Sequence, residues 1–210
     1  MLKILLVDDH ELIRAGLKQV LQAGLGKIAV GEARNAQEAM VLLQEQQWDL
    51  TITDITLPGR SGLDLLIECK HLRPEMPVLV LSVLSEDEIA VRVLKAGAAG
   101  FVHKETSGDE LVKAIRKVLV GGKYVSQSLA EKLAMQIGNP QLGDPHRKLS
   151  DREYLVMTML ASGKTLTQIS KILSLSIKTI STYRSRILQK MHLDNNASLT
   201  RYALKHGLVQ

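Results

Sequence analysis

Two groups of carboxylates stand at the ends of apolar runs. Asp8 and Asp9 follow Ile4-Leu5-Leu6-Val7, and Asp54 follows Leu50-Thr51-Ile52-Thr53. Each run has the length and composition of a buried strand, and each delivers its acids at the carboxyl end. Open parallel sheets bind ligands at that edge. Three carboxylates gathered there repel one another unless a cation sits among them. An all-oxygen donor set of this kind suits Mg²⁺, which takes few protein carboxylates and keeps several waters. A carboxylate beside a bound metal can also act as a nucleophile toward a phosphoryl group.

The elements that must position these acids alternate regularly. Strand-like runs at Lys3–Val7, Ile28–Ala33, Leu50–Thr53, Val78–Leu81 and Gly100–His103 are each followed by helical periodicity. The helices are expected over Glu11–Gln22, Ala36–Gln46, Gly62–His71, Asp87–Ala96 and Gly108–Leu119. Five strand–helix units in succession predict an α/β fold, a five-stranded doubly wound parallel sheet with helices on both faces. Gly121-Gly122 ends the fifth helix. Residues 128 to 137 have helical spacing, and Gly138-Asn139-Pro140, Gly143 and Asp144-Pro145 then supply turn chemistry. These signals predict a domain over 1–122, a linker with a short helix over 123–148, and a small all-helical domain over 149–210. In that last domain Ser150 and Glu153 have capping-box spacing. Further helices are expected at about 167–173, 177–191 and 196–206.

The net charge of +5 is unevenly spread. Residues 1–125 hold 15 Lys+Arg against 17 Asp+Glu, and residues 126–210 hold 12 against 5. Basic charge confined to a small helical domain is the footprint of a polyanion partner, above all nucleic acid. Apolar residues make up 45% of the chain, enough for real cores. Cys69 is the single cysteine, which excludes an internal disulfide or a cysteine metal cluster. No apolar run has the length of a bilayer span and no signal-peptide pattern opens the chain. A cytoplasmic protein with no membrane partner is expected.

Asp8-Asp9, Asp54 with Pro58-Gly59 and Gly62, Ser82 after the fourth strand and Lys104 after the fifth occur in that order. Together they resemble the receiver domain of bacterial two-component response regulators, over residues 1 to about 122. The resemblance implies a flavodoxin-like sheet with Asp54 as phosphoacceptor. It implies Mg²⁺ held by Asp9, Asp54 and the Thr56 backbone carbonyl, with Asp8 acting through water. Lys104 and Ser82 would contact the phosphoryl group. Phe101, on the fifth strand, stands where the family has a switch aromatic, and is equally placed to be core. The residue after Lys104 is Glu105, where receivers often have proline.

Within the tail, Leu166-Thr167-Gln168-Ile169 through Ser176-Ile177-Lys178-Thr179-Ile180 resembles the LuxR-type helix-turn-helix. The whole chain is similar to response regulators of the NarL/FixJ type. By that resemblance Ile169, Ile172, Leu173 and Ile177 lock two helices together, and the second of them enters the DNA major groove. Ser181, Thr182 and Ser185 are candidates for base contacts; Lys178, Thr179, Arg186 and Lys190 are candidates for the phosphate backbone, and Arg184 can also neutralise phosphate. Tyr183 stands where the family usually has histidine. Leu199, Tyr202 and Ala203 in the last helix serve either as a dimer surface or as core.

The expected function is a phosphorylation-controlled DNA-binding transcriptional regulator. Its partners would be promoter DNA, a sensor histidine kinase and a second copy of the chain. Its only chemistry would be self-phosphorylation and self-dephosphorylation at Asp54, so it is not an enzyme on other substrates. A phosphatase using Asp54 would want a second acid close by to protonate the leaving group. Thr56, two residues on, does not serve that role well. A tail that binds another regulator, rather than DNA, fits its basic charge poorly.

Overall fold

A computed structural model describes residues 1–83, 87–131 and 144–209. The chain forms two compact units, Met1–Glu131 and Lys132–Gln210.

In the first unit five strands alternate with five helices: β1 (Leu2–Val7), α1 (Glu11–Leu25), β2 (Ile28–Ala33), α2 (Ala36–Glu45), β3 (Leu50–Asp54), α3 (Gly62–Leu72), β4 (Val78–Ser82), α4 (Asp87–Lys95), β5 (Gly100–His103) and α5 (Gly108–Leu119). All neighbouring strands are parallel, in the order β2-β1-β3-β4-β5. The chain moves one way from β1 to β2 and the other way from there on. Right-handed crossovers then set α1 on one face and α2, α3 and α4 on the other. Accordingly α1 packs on α5, and α2 on α3. The direction changes between β1 and β3. Their carboxyl ends carry the predicted acids.

The burial pattern explains the apolar runs. Ile4, Leu5, Leu6 and Val7 are all buried, as is every residue of β3 and β4. Such strands have no solvent-exposed face, because helices cover both sides; the buried Thr51 and Thr53 hydroxyls of β3 donate to Met76 Sδ and the Asp54 carbonyl. One core centres on Ile4, Leu6, Ile52, Leu79, Leu81, Ile115 and Val118. Helix starts follow their local chemistry. Asn35, Ser61 and Ser107 each accept a hydrogen bond from a backbone N–H one turn on, and Ser61 with Asp64 completes a capping box.

The segment expected as linker begins on the first unit. Tyr124 forms a parallel bridge with Gly100, accepts from the Phe101 amide and donates its own amide to Ala99. A Cβ at Gly100 would stand 2.7 Å from the Tyr124 carbonyl oxygen, so glycine permits this approach. A helical turn begins at Gln127 and continues to Glu131. The rest of the expected 128–137 helix and the turn residues up to Gly143 lie outside the described residues.

The described residues of the second unit hold a 3-10 turn (Pro145–Lys148) and four helices: α6 (Asp151–Ala161), α7 (Leu166–Leu173), α8 (Ile177–Met191) and α9 (Asn196–Lys205). Helix α6 touches α7, α8 and α9. Ser150 and Glu153 form the expected capping box, and Thr165 with Gln168 forms another. Ser174 adopts the left-handed conformation (φ 50°) that ends α7, and Ser176 caps α8 two residues later. Ile169, Leu173, Ile180, Ile187 and Met191 are buried, whereas Ile177 is half exposed. Leu199 and Ala203 have no exposure, and the Tyr202 hydroxyl is bonded to His146. Leu199 and Ala203 thus belong to the interior of the unit, and Tyr202 is half-buried.

Candidate functional site

Asp8 follows the last residue of β1, and its amide donates to the Ala33 carbonyl. Asp54 is the last residue of β3. The parallel pairing of β1 with β3 aligns Val7 with Thr53, so the two acids emerge side by side. Lys104 follows β5 and reaches back over the sheet edge. Its Nζ is 2.7 Å from Asp8 Oδ2 and 2.8 Å from Asp54 Oδ2. Three residues remote in sequence thus meet at one ammonium group, which two acids share. All are poorly accessible: side-chain exposure is 2% for Asp8, 4% for Asp54 and 12% for Lys104.

Glycine at 62 makes the roof of this site. The N-terminus of α3 lies on the Asp54 backbone, where a Cβ at Gly62 would sit 1.9 Å from the Asp54 carbonyl oxygen. The Gly62 amide donates to the Ile55 carbonyl, which closes the loop from β3. Thr56 lies in that loop, half-buried, and its Oγ1 has no hydrogen-bond partner among the described residues.

Burial raises the pKa of Asp54 above the usual carboxylate value. The Lys104 charge and hydrogen bond oppose that rise, the Asp8 charge adds to it, and the Thr56 amide opposes it. Lys104 is shifted upward: burial favours its neutral form, but the charge of Asp54 and hydrogen bonds to both acids outweigh that. Two carboxylates around one lysine leave a net negative charge at a nearly dry site.

Asp9 points toward solvent, and its Oδ1 lies 2.9 Å from His10 Nδ1. The Asp8, Asp9 and His10 donor atoms fall within 4.8 Å of one another. Asp54 Oδ1 is buried and lacks a hydrogen-bond partner among the described residues. An orphaned buried carboxylate oxygen beside two further acids fits a small hard cation better than it fits a finished salt bridge.

Ser82 ends β4, fully buried, and its carbonyl accepts from the Lys104 amide. Phe101 is buried on β5, three residues before Lys104.

Three residues beside this site, Arg14, Lys18 and Glu32, escaped the sequence reading. Arg14 is 5% exposed; its Nη1 donates to the Asp8 carbonyl at 2.6 Å, and its Nε to Glu32 at 3.3 Å. Lys18 also bonds Glu32, and that hydrogen bond leads in lowering the Glu32 pKa. The available signal was a cation at 14 on the same helical stripe as Leu17 and Leu21.

In the second unit, Lys178, Thr182, Ser185, Arg186 and Lys190 are exposed on α8, with Thr179 and Ser181 half-buried. Several polar groups are already engaged. Thr182 Oγ1 donates to the Lys178 carbonyl and Ser185 Oγ to the Ser181 carbonyl, while the Thr179 and Ser176 hydroxyls pair. Arg184 Nε donates to Asn196 Oδ1 at 2.6 Å, a strut between α8 and α9. Lys190 Nζ lies 2.6 Å from the buried Glu153 carboxylate. Its ammonium is therefore committed to α6, unlike the exposed cations Lys178 and Arg186.

Comparisons with known proteins agree with this layout. The family model for the response regulator receiver domain matches residues 4–116, and that for bacterial regulatory proteins of the luxR family matches 147–203. The response regulator GacA of Pseudomonas aeruginosa is 36% identical over 210 residues, covering 100% of this chain and 98% of that protein. Among solved structures, RcsB from Salmonella enterica serovar Typhimurium, bound to the promoter rprA with the phosphomimetic BeF3-, is 26% identical. It matches with a TM-score of 0.65 over 96% of this chain and 97% of its own. A structure of two RcsB dimers bound to two parallel DNAs matches with a TM-score of 0.58 at 25% identity, over 97% and 98% of the two chains. No helix among the described residues is long and apolar enough to cross a membrane. The chain belongs to the response regulators, with a receiver domain followed by a DNA-binding domain of the LuxR family.

Proposed function

We propose that Asp54 is the phosphoacceptor of a two-component system and that its phosphorylation controls promoter binding by the second domain. The observation that carries this reading is the buried Asp54 carboxylate, with one oxygen on Lys104 and the other without a partner among the described residues. An Asp54 oxygen attacks the phosphorus of a phosphohistidine on a sensor kinase or of a small acyl phosphate. A new O–P bond forms as the donor's bond to phosphorus breaks. Lys104 pairs with the incoming phosphoryl oxygens as a point charge. The Ser82 hydroxyl donates to one of them, and Phe101 packs against the change that follows. Asp9, Asp54 and the Thr56 carbonyl would hold Mg²⁺, with Asp8 acting through water, and a cation held there would supply positive charge to the phosphoryl oxygens. Hydrolysis of the acyl phosphate resets the site.

The domain assignment under this proposal is receiver over 1–122, linker over 123–148 and DNA-binding domain over 149–210. Lys178, Thr179 and Arg186 are proposed for phosphate contacts, and Ser181, Thr182 and Ser185 for bases, while the pair with Glu153 takes Lys190 out of the expected phosphate set. RcsB is seen as dimers on DNA, which supports a homodimer here, since one small helical module makes few base contacts. Such a regulator acts in the cytoplasm, where the DNA is.

Intact-mass measurement with Mg²⁺ and acetyl phosphate tests the assignment. The parent chain gains one phosphate and Asp54→Asn gains none. Equal gain by the two proteins rules Asp54 out.

A further inference from the structure

Arg14, on α1, is the only buried lysine or arginine among the described residues, and no step above uses it. Its guanidinium joins two elements: Nη1 donates to the Asp8 carbonyl at 2.6 Å, and Nε to Glu32 Oε2, on β2, at 3.3 Å. We propose that Arg14 is a positioning residue for the acidic site, which sets the Asp8–Asp9 peptide so that the Asp9 carboxylate can bind a divalent cation. This role rests on the reading above, in which Asp9 and Asp54 hold Mg²⁺.

The end of β1 explains why the carbonyl needs this partner. The strand pairs with β2 and β3 only as far as Val7. The Asp8 amide still reaches Ala33, but the Asp8 carbonyl lies past the last ladder pair. A buried carbonyl without a partner is costly, and Arg14 supplies one. The carboxylate of Asp8 is engaged too, Oδ1 by the His10 amide at 2.8 Å and Oδ2 by Lys104 at 2.7 Å. Asp9 is held differently. Its side chain is 30% exposed and meets only the His10 ring among the described residues. Its direction is set by the peptide it shares with Asp8. That unit is planar, so holding the Asp8 carbonyl also sets the Asp9 amide and Cα.

Arginine suits the task because its donors sit in a rigid planar fork, whereas a lysine offers one ammonium on a flexible stem. Glu32 anchors the second arm of the fork, and Lys18 Nζ holds the other Glu32 oxygen at 3.1 Å. Glu32 also offsets the Arg14 charge beside a site that must attract a cation. Charge and positioning therefore predict opposite signs. On charge alone, losing Arg14 makes the site more negative and tightens its hold on a metal. Losing the brace frees the Asp8–Asp9 peptide to turn, and the Asp9 carboxylate leaves the donor set. Groups that orient metal ligands from behind carry a large share of metal affinity.

Mn²⁺ titration of the chelator-stripped full chain, without phosphodonor and read by the electron paramagnetic resonance of the free ion, tests this role. Affinity should fall at least about tenfold in Arg14→Met and in Arg14→Met/Glu32→Gln. The double variant leaves the net charge unchanged and no member of the pair alone, so it is the deciding protein where circular dichroism finds Arg14→Met unfolded. Lys18→Met removes a cation from the same carboxylate without touching Asp8, and should bind at least as tightly as the parent. In phosphate uptake from acetyl phosphate, the Mg²⁺ concentration for half the maximal rate should rise in the double variant by the factor seen with Mn²⁺. A parent that shows the Mn²⁺ pattern but takes up no phosphate supports the brace and fails the phosphoacceptor reading alone. A smaller fall in the double variant, an equal fall in Lys18→Met, an unchanged Mg²⁺ dependence of uptake, or a parent that binds no Mn²⁺ overturns the proposal.

Discussion

Lys104 Nζ lies 2.8 Å from Asp54 Oδ2 across the end of the sheet, and the same ammonium holds Asp8. One cation is shared between two buried acids, so the resting site is short of positive charge. Removing a partner from a buried pair is ordinarily costly, because a lone charge is left behind. Here the removal of one acid leaves a balanced pair instead.

Asp54→Asn is therefore expected to stabilise the fold near neutral pH, on the order of 1 kcal/mol. Burial raises the Asp54 pKa above 3.8 against the pull of Lys104. A group raised on folding contributes its stability in full below its unfolded value. That contribution is lost as pH climbs through the folded value. Ionised Asp54 thus works against folding, and its neutral replacement gains most where Asp54 is charged. Urea denaturation across pH measures this. The gap between parent and variant should shrink as pH falls into the carboxylate range, and a gap independent of pH would contradict the argument.

Glu153 has the opposite sign. Burial alone would raise its pKa, but hydrogen bonds from Lys190 and Ser150 overcome that and lower it below 4.5. A depressed acid lends stability above its unfolded value, and this is lost as pH falls through the folded one. The second unit should weaken from about pH 4.5 downward. Glu153→Gln keeps the capping shape but removes the titration. It should cost about 1 kcal/mol or more near neutral pH, where the Lys190 pair is lost. It should also flatten the acid limb of the stability curve. Acid titration followed by circular dichroism compares the two limbs; parallel curves for parent and variant would assign the acid loss to other groups.

These two sites differ in how far the sequence exposes them. Asp8 and Asp54 are legible because each closes an apolar run, and strand order then brings parallel strand ends together. The ten elements of the receiver follow the same logic, with most boundaries within a residue or two. The partners of those acids are a different matter. Nothing local pairs Lys190 with Glu153, 37 residues away, or His146 with Tyr202, 56 residues away. A surface face drawn from helical spacing counts every exposed cation as available. The tertiary fold decides which ones are already engaged, as with Lys190 and Arg184. Arg14 shows the converse, since its position on the buried stripe of α1 marks it as a bonded cation before the acceptor is known.

That distinction makes a prediction for DNA. Each phosphate neutralised by a protein cation contributes about 0.9 to the slope of log affinity against log salt. Lys178 and Arg186 are exposed on α8, with no ion pair among the described residues, so they can meet phosphates directly. Their joint replacement by alanine should lower the slope by about 2 on any duplex, irrespective of base sequence. Lys190 starts from a 2.6 Å pair with buried Glu153. To meet a phosphate it must leave that carboxylate without its partner, so in the bound state it stays on α6. Lys190→Ala should therefore change the salt slope by well under about 0.9 while lowering the stability of the second unit. Fluorescence anisotropy over a salt series, beside thermal melts of the same proteins, reads both effects. A slope loss for Lys190→Ala equal to that for Lys178→Ala would mean that DNA draws Lys190 away from Glu153 and that α6 and α8 rearrange on binding.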